Sequence, residues 1–142
     1  MILKSIVILM MMTLSVFASE AVAFIKNVRG ETVVKRENAI LPAEKGEQLL
    51  RRDVIQTGAT GTLGVSFNDG TRVSVGPKSV LVIDDYLFQP SEKVFRFDLT
   101  LQKGTAVFES GKIGKLAPEK VNFRVPQGVI GIRGTKFVVE AE

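Results

Sequence analysis

Phe95-Arg96-Phe97-Asp98-Leu99-Thr100-Leu101 decides the fold class. Four large apolar residues alternate with polar ones, and a period of two is that of a β-strand with one buried and one wet face. Leu63, Val65 and Phe67 repeat the pattern to the N-terminal side, as do Val73 and Val75. Val121, Phe123 and Val125 repeat it to the C-terminal side. After residue 20 a helical period is hard to find.

Turn residues separate these runs at short intervals. Asn68-Asp69-Gly70 lies between Phe67 and Thr71, where glycine can supply the positive φ of a tight hairpin. Arg29-Gly30-Glu31 is expected to join a strand over 22–28 to one over 32–35. Lys103-Gly104 is expected to join 95–101 to 106–108, and Pro126-Gln127-Gly128 to close 121–125. Leu41 to Leu50 and Gln89 to Glu92 read as polar connectors. The expectation is an all-β domain of about ten short strands with almost no helix in its mature part, in a compact sandwich, barrel, roll or short β-solenoid. Thr57–Val75 and Val125–Val139 share glycine turns around short Val and Phe strands, too loosely for a repeat of fixed period.

The N-terminus carries one positive charge, Lys4, followed by an apolar run from Ser5 to Ala18 and no further charge until Glu20. That run is shorter than the roughly 20 residues a spanning helix needs. With the small residue Ala18 at its end it reads as a signal peptide over residues 1–18, leaving a β domain over 19–142. Ala21-Val22-Ala23 offers a competing cleavage point after Ala23, but cutting there removes the start of the first strand. An uncleaved anchor or a buried core helix are the other readings of the segment. Export to the periplasm or beyond is the expectation, with membrane contact only through an uncleaved signal segment.

At 142 residues, 45% of them apolar, the chain can bury one ordinary core. It has no cysteine, so no disulfide framework or lipobox can be read. It has no histidine, which removes the commonest general base and a common zinc ligand. Ser66, Ser74 and Ser79 have no histidine to activate them, and Asp84-Asp85 are successive strand residues expected to face opposite sides. No enzyme and no cofactor is expected. Asp69, Asp84 and Asp85 can touch a cation in principle, but their spacing matches no calcium motif, and turn capping explains them. Nineteen basic against fifteen acidic residues is a mild excess, scattered along the chain, and Phe67, Phe95, Phe97 and Phe123 lie on the apolar side of strands. Nucleic-acid binding is therefore not expected. A sugar platform is thin too, since tryptophan is absent and only Tyr86 combines a ring with a hydroxyl.

Two constellations remain. The first runs through Asp53, Ile55, Thr57 and Gly58, then Asp69-Gly70-Thr71, then Pro77-Lys78-Ser79; the second is Gly131-Ile132-Arg133-Gly134-Thr135-Lys136-Phe137. Asp53, Asp69, Thr57 and Thr71 suit turns in which a side-chain oxygen accepts a backbone N–H. Arg133, flanked by small residues, suits either an architectural clamp on a carboxylate or carbonyl, or contact with a partner. These residues resemble the FecR domain family, whose D-x-I-x-T-G turn, DGT hairpin, P-x-S and G-I-R-G-T-x-F occur here in order. Arg52 stands where that family usually has glycine.

The resemblance implies the outer half of a membrane-spanning regulator that senses a loaded outer-membrane transporter. Only four residues precede the apolar segment, and nothing after Glu142 resembles the regulator's further C-terminal portion, so a stand-alone exported domain is the nearer comparison. The expected function is a non-enzymatic protein-interaction or envelope signalling module whose partner is another envelope protein. A carbohydrate or cell-wall binding domain is the alternative. The end immediately after an apolar strand also raises the expectation that a final pairing strand comes from elsewhere.

Overall fold

The computed structural model describes residues 20–132 and 135–142. The signal segment, Arg133 and Gly134 lie outside the described residues. Twelve strands are present: β1 Ala23–Arg29, β2 Thr32–Arg36, β3 Ala39–Pro42, β4 Gln48–Leu49, β5 Val54–Thr57, β6 Thr62–Phe67, β7 Arg72–Val75, β8 Val80–Gln89, β9 Val94–Glu109, β10 Val121–Val125, β11 Gly128–Gly131 and β12 Lys136–Ala141. A five-residue helix, α1 (Lys112–Leu116), and single 3-10 turns at Pro90–Glu92 and Pro118–Lys120 are the other regular elements among the described residues.

The strands form two sheets that share one member. Sheet A runs β4-β1-β6-β7-β9-β12, and sheet B runs β3-β2-β5-β8-β9-β10-β11. Residues 94–103 of β9 pair with β8 in sheet B, and residues 104–109 pair with β7 and β12 in sheet A. All pairings are antiparallel except β9 with β10. A parallel pair needs a crossover, and the segment holding α1 and the second 3-10 turn supplies it.

The inner faces meet through aromatic rings. Phe67 of sheet A stands 5.2 Å from Tyr86 and 4.8 Å from Phe97 of sheet B, centroid to centroid. Phe108 continues the contact to Phe137 at 5.0 Å and to Phe123 at 6.0 Å. Leu99, Leu101, Ile83, Leu81 and Ile55 are fully buried beside them, in one core that draws on both sheets. The all-β expectation holds in its sandwich or roll form, and the solenoid does not.

Three local expectations are corrected. Lys103-Gly104 does not separate two strands, because the backbone continues through Gly104 at φ +94° and changes sheets within β9. The connector Leu41 to Leu50 contains the end of β3 and all of β4, and Leu49 is fully buried because β4 pairs with the start of β1. Arg29-Gly30-Glu31 links two strands that do not pair, since β1 lies in sheet A and β2 in sheet B. The DGT turn is a hairpin: β6 pairs with β7, Phe67 N–H donates to Thr71 O at 2.8 Å, and Gly70 sits at φ +87°.

Gly70 and Gly104 separate two costs of a side chain. A Cβ on Gly70 meets nothing within 4 Å, whereas one on Gly104 would lie 2.0 Å from Ser79 Oγ and 2.6 Å from Ser79 Cα. Gly70→Ala should cost about 1 kcal/mol, from the left-handed backbone alone. Gly104→Ala should cost about 3 kcal/mol or more, because overpacking adds to it. Urea midpoints of the two variants check the order, and equal midpoints would refute the seat of Gly104 against Ser79.

Candidate functional site

The chain passes repeatedly between the sheets, and at each corner its backbone leaves one ladder before joining another. Buried N–H and C=O groups there need other partners. Of the five polar or charged residues buried among the described ones, Asp53, Thr57 and Ser79 supply them, while Asp69 and Thr71 belong to the hairpin within sheet A.

Between β5 and β6 and between β7 and β8 two corners lie side by side. Thr57 Oγ1 donates to Gly76 O at 2.6 Å and accepts from Ser79 N–H at 2.9 Å. Ser79 Oγ donates to Pro77 O at 3.0 Å and accepts from Thr105 N–H at 3.0 Å, one residue past the Gly104 bend. Gly58 N–H donates to Glu31 O, and a Cβ on Gly58 would lie 2.4 Å from the Glu31 carboxylate. The serine read as an unactivated nucleophile thus seats the strand that joins the sheets.

Between β4 and β5, Asp53 accepts Leu50 N–H at 2.8 Å and takes a two-pronged ion pair from Arg36, Nε to Oδ1 at 2.9 Å and Nη2 to Oδ2 at 2.8 Å. The bond to Asp53 pushes the Arg36 guanidinium further above its already high range. Arg52, just before this aspartate, adopts φ +71°. For a residue with a Cβ the left-handed conformation costs about 1–2 kcal/mol, which accounts for the glycine expected there.

Asp69 ties three elements. Its Oδ1 accepts from Thr71 N–H at 3.2 Å and from the Tyr86 hydroxyl at 2.9 Å. Its Oδ2 accepts from Thr71 Oγ1 at 2.8 Å and from Ile113 N–H at 3.0 Å. Lys112 N–H donates to Asp69 O and Gly111 N–H to Thr71 Oγ1. The DGT hairpin therefore caps α1 from outside, satisfying N–H groups that a helix start leaves without intrahelical partners. A Cβ on Gly111 would lie 2.3 Å from Thr71 N, so the close approach requires glycine. Burial, then the charge and hydrogen bond of Asp69, push the Tyr86 phenol far above its usual range.

A family model described as FecR protein matches residues 53–142. The chain belongs to the FecR family. All five buried polar residues fall within the FecR match, which starts at Asp53. The strands before it, β1 to β4, are woven into the same two sheets. Searches of curated proteins and of solved structures gave no match.

Of the other residues singled out by sequence, Thr135 is exposed and its carbonyl accepts Ser110 N–H at 2.7 Å. Arg133 and Gly134, and with them the choice between a clamp and a partner contact at Arg133, lie outside the described residues. Asp84 and Asp85 do not face opposite sides: a bulge in β8 between Ile83 and Asp85 turns both into one charged cleft of about 700 Å3 with Arg51, Arg52 and Arg96. There Asp85 pairs with Arg96 at 2.7 Å, while Asp84 bonds the Thr100 hydroxyl at 2.5 Å. Among the described residues no three His, Cys, Asp or Glu side chains gather as a metal site, and no helix is long and apolar enough to cross a membrane. Arg36 and Gly111 escaped sequence reading, and Gly104 reads there only as a turn; the only signal for Gly111 is its being a glycine.

Two predictions test the Asp69 assembly. Asp69→Asn replaces an acceptor oxygen by a donor nitrogen facing other donors, and should cost about 2–4 kcal/mol in chemical denaturation, more than a simple loss of one bond. Tyr86 is the chain's single tyrosine, so its phenolate absorbance can be followed alone. Its folded pKa is raised, so the proton is held in the folded state and released in the unfolded one. Stability should be intact below about pH 10 and fall above it, by up to about 1.4 kcal/mol per pH unit. Phenolate absorbance should appear only with unfolding; a separate transition near pH 10 in folded protein would refute the burial of this hydroxyl.

Proposed function

We propose that this FecR-family chain is an exported, non-enzymatic module of the cell envelope that works by binding another envelope protein, as part of a signalling system. The observation that carries this reading is the fate of the family's polar motif. Asp53, Thr57, Asp69, Thr71 and Ser79 spend their hydrogen-bonding capacity inside the fold. Residues so engaged are framework, which leaves surface recognition as the work of the domain. Export rests on the segment over residues 1–18. The cell-wall alternative is weakened by the position of Tyr86, whose ring and hydroxyl are both buried.

Crosslinking in the native envelope followed by affinity recovery of the chain tests the reading. One dominant protein partner is expected, with an intact mass lacking residues 1–18. Retention on purified peptidoglycan without a protein partner would replace this reading by the cell-wall one. A full-length product resistant to alkaline extraction would make the segment an anchor.

A further inference from the structure

The outer face of sheet A is open, flat and charged. Strand pairing lines up Phe24, Ser66, Arg72, Glu109 and Lys136 in one row across five strands. The next row is Asn27, Gly64, Ser74, Val107 and Val138. Gly64 and Ser74 of the second row are short, and two adjoining depressions of about 460 and 200 Å3 lie along that row, with Arg72, Glu109 and Lys136 of the first row lining the smaller one. Asn27 lies over Gly64, close enough that a Cβ there would come within 2.7 Å of Asn27 Oδ1, and its exposed carboxamide has no side-chain hydrogen bond among the described residues.

This face carries Lys26, Arg29, Arg72 and Lys136 against Glu109 and Glu140. Excluding Lys4 and Arg133, the described chain has 17 basic and 15 acidic residues, so the surplus of two on this face equals that of the whole described chain. Lys26 and Arg29 have no ion-pair partner among the described residues, and Arg72 reaches Glu109 only at 4.0 Å with both side chains half exposed. Apolar surface flanks the charges: Phe24 on β1 is 43% exposed and Val138 on β12 is 63% exposed.

We propose that this face docks an extended acidic segment of a protein partner, with carboxylates over the Lys26, Arg29 and Arg72 side and aliphatic residues toward Val107 and Val138. The proposal rests on the protein-binding reading above and adds its surface and the chemistry of its partner. Crossing from β1 to β12 spans four strand intervals of about 4.8 Å, or about 19 Å, which an extended segment of about six residues covers. Charge complementarity favours an acidic occupant and suppresses basic ones. A glycan is disfavoured because the depressions are lined by charged, small polar and aliphatic residues, with no aromatic ring to stack on except Phe24 at the margin.

A photocrosslinking residue at Ser74 in the exported chain, in its native envelope, tests this, with the same residue at the exposed Lys35 on sheet B as control. A Ser74 adduct to an acidic peptide of one protein is expected. Lys26→Glu with Arg29→Glu should reduce it by about tenfold or more, more strongly at low salt, while the melting midpoint stays unchanged. An equal adduct at Lys35, an adduct to a neutral or basic peptide or to a muropeptide, or one that survives charge reversal would overturn the proposal. If the unmodified chain recovers a protein partner but Ser74 gives no adduct, the docking face is wrong and the protein-binding reading stands. If no partner is recovered at all, both fall.

Discussion

One strand belongs to both sheets, and the architecture depends on how it bends between them. β9 pairs with β8 and β10 through its first part and with β7 and β12 through its last, so neither sheet is complete without it. The bend at Gly104 is held at the next residue from the corner between β7 and β8: the Ser79 hydroxyl accepts Thr105 N–H and donates to Pro77 O, and Gly76 N–H donates to Thr105 O at 2.8 Å. Corner, bend and core are therefore one assembly: Phe97 and Phe108, on either side of the bend, reach each other at 5.8 Å.

Polar burial follows the same logic. A buried hydroxyl or carboxylate without partners is costly, yet here each one answers backbone groups that lack a ladder partner, at strand corners for Asp53, Thr57 and Ser79 and at the start of α1 for Asp69 and Thr71. The Asp53 pair with Arg36 and the Asp69 assembly with Tyr86 add charge to this role. Low dielectric makes such networks strong when complete and damaging when one member is lost. The family's motif thus marks the corners at Asp53, Thr57 and Ser79 and the hairpin at Asp69 and Thr71 that caps α1, which explains why it contains small, hydrogen-bonding and glycine residues and few large ones.

Much of the sheet architecture was legible because alternation reports directly which side of a strand is buried. Phe97, Leu99 and Leu101 point inward as the 95–101 pattern requires, and Gly70 takes the positive φ expected of its turn. What escaped was set by tertiary partners. Lys103-Gly104 looks like any turn until Ser79, 25 residues earlier, occupies the space beside the glycine. Helix α1 has neither length nor a local cap, because its cap comes from Asp69, 44 residues before Ile113. Arg36 carries no mark of its role, since its partner Asp53 is brought to it only by the pairing of β2 with β5. The charged outer face of sheet A is likewise invisible in a linear chain, where its cations are spread from Lys26 to Lys136.

The shared strand also sets an order in time. A chain delivered from its N-terminus presents β1 to β8 first, and these form two groups of strand pairings that only β9 joins into ladders, although Phe67 and Asp69 of one group can already meet Tyr86 of the other. Without Phe97, Leu99, Leu101 and Phe108 of β9 the core between the two groups is unfilled, and apolar surface left open in this way invites aggregation. Cooperative closure must therefore wait for residues 94–109, and the Asp69 carboxylate waits longer still, for Ile113. A domain built this way gains nothing from starting early, and is suited to a route that keeps its chain unfolded until nearly all of it has arrived.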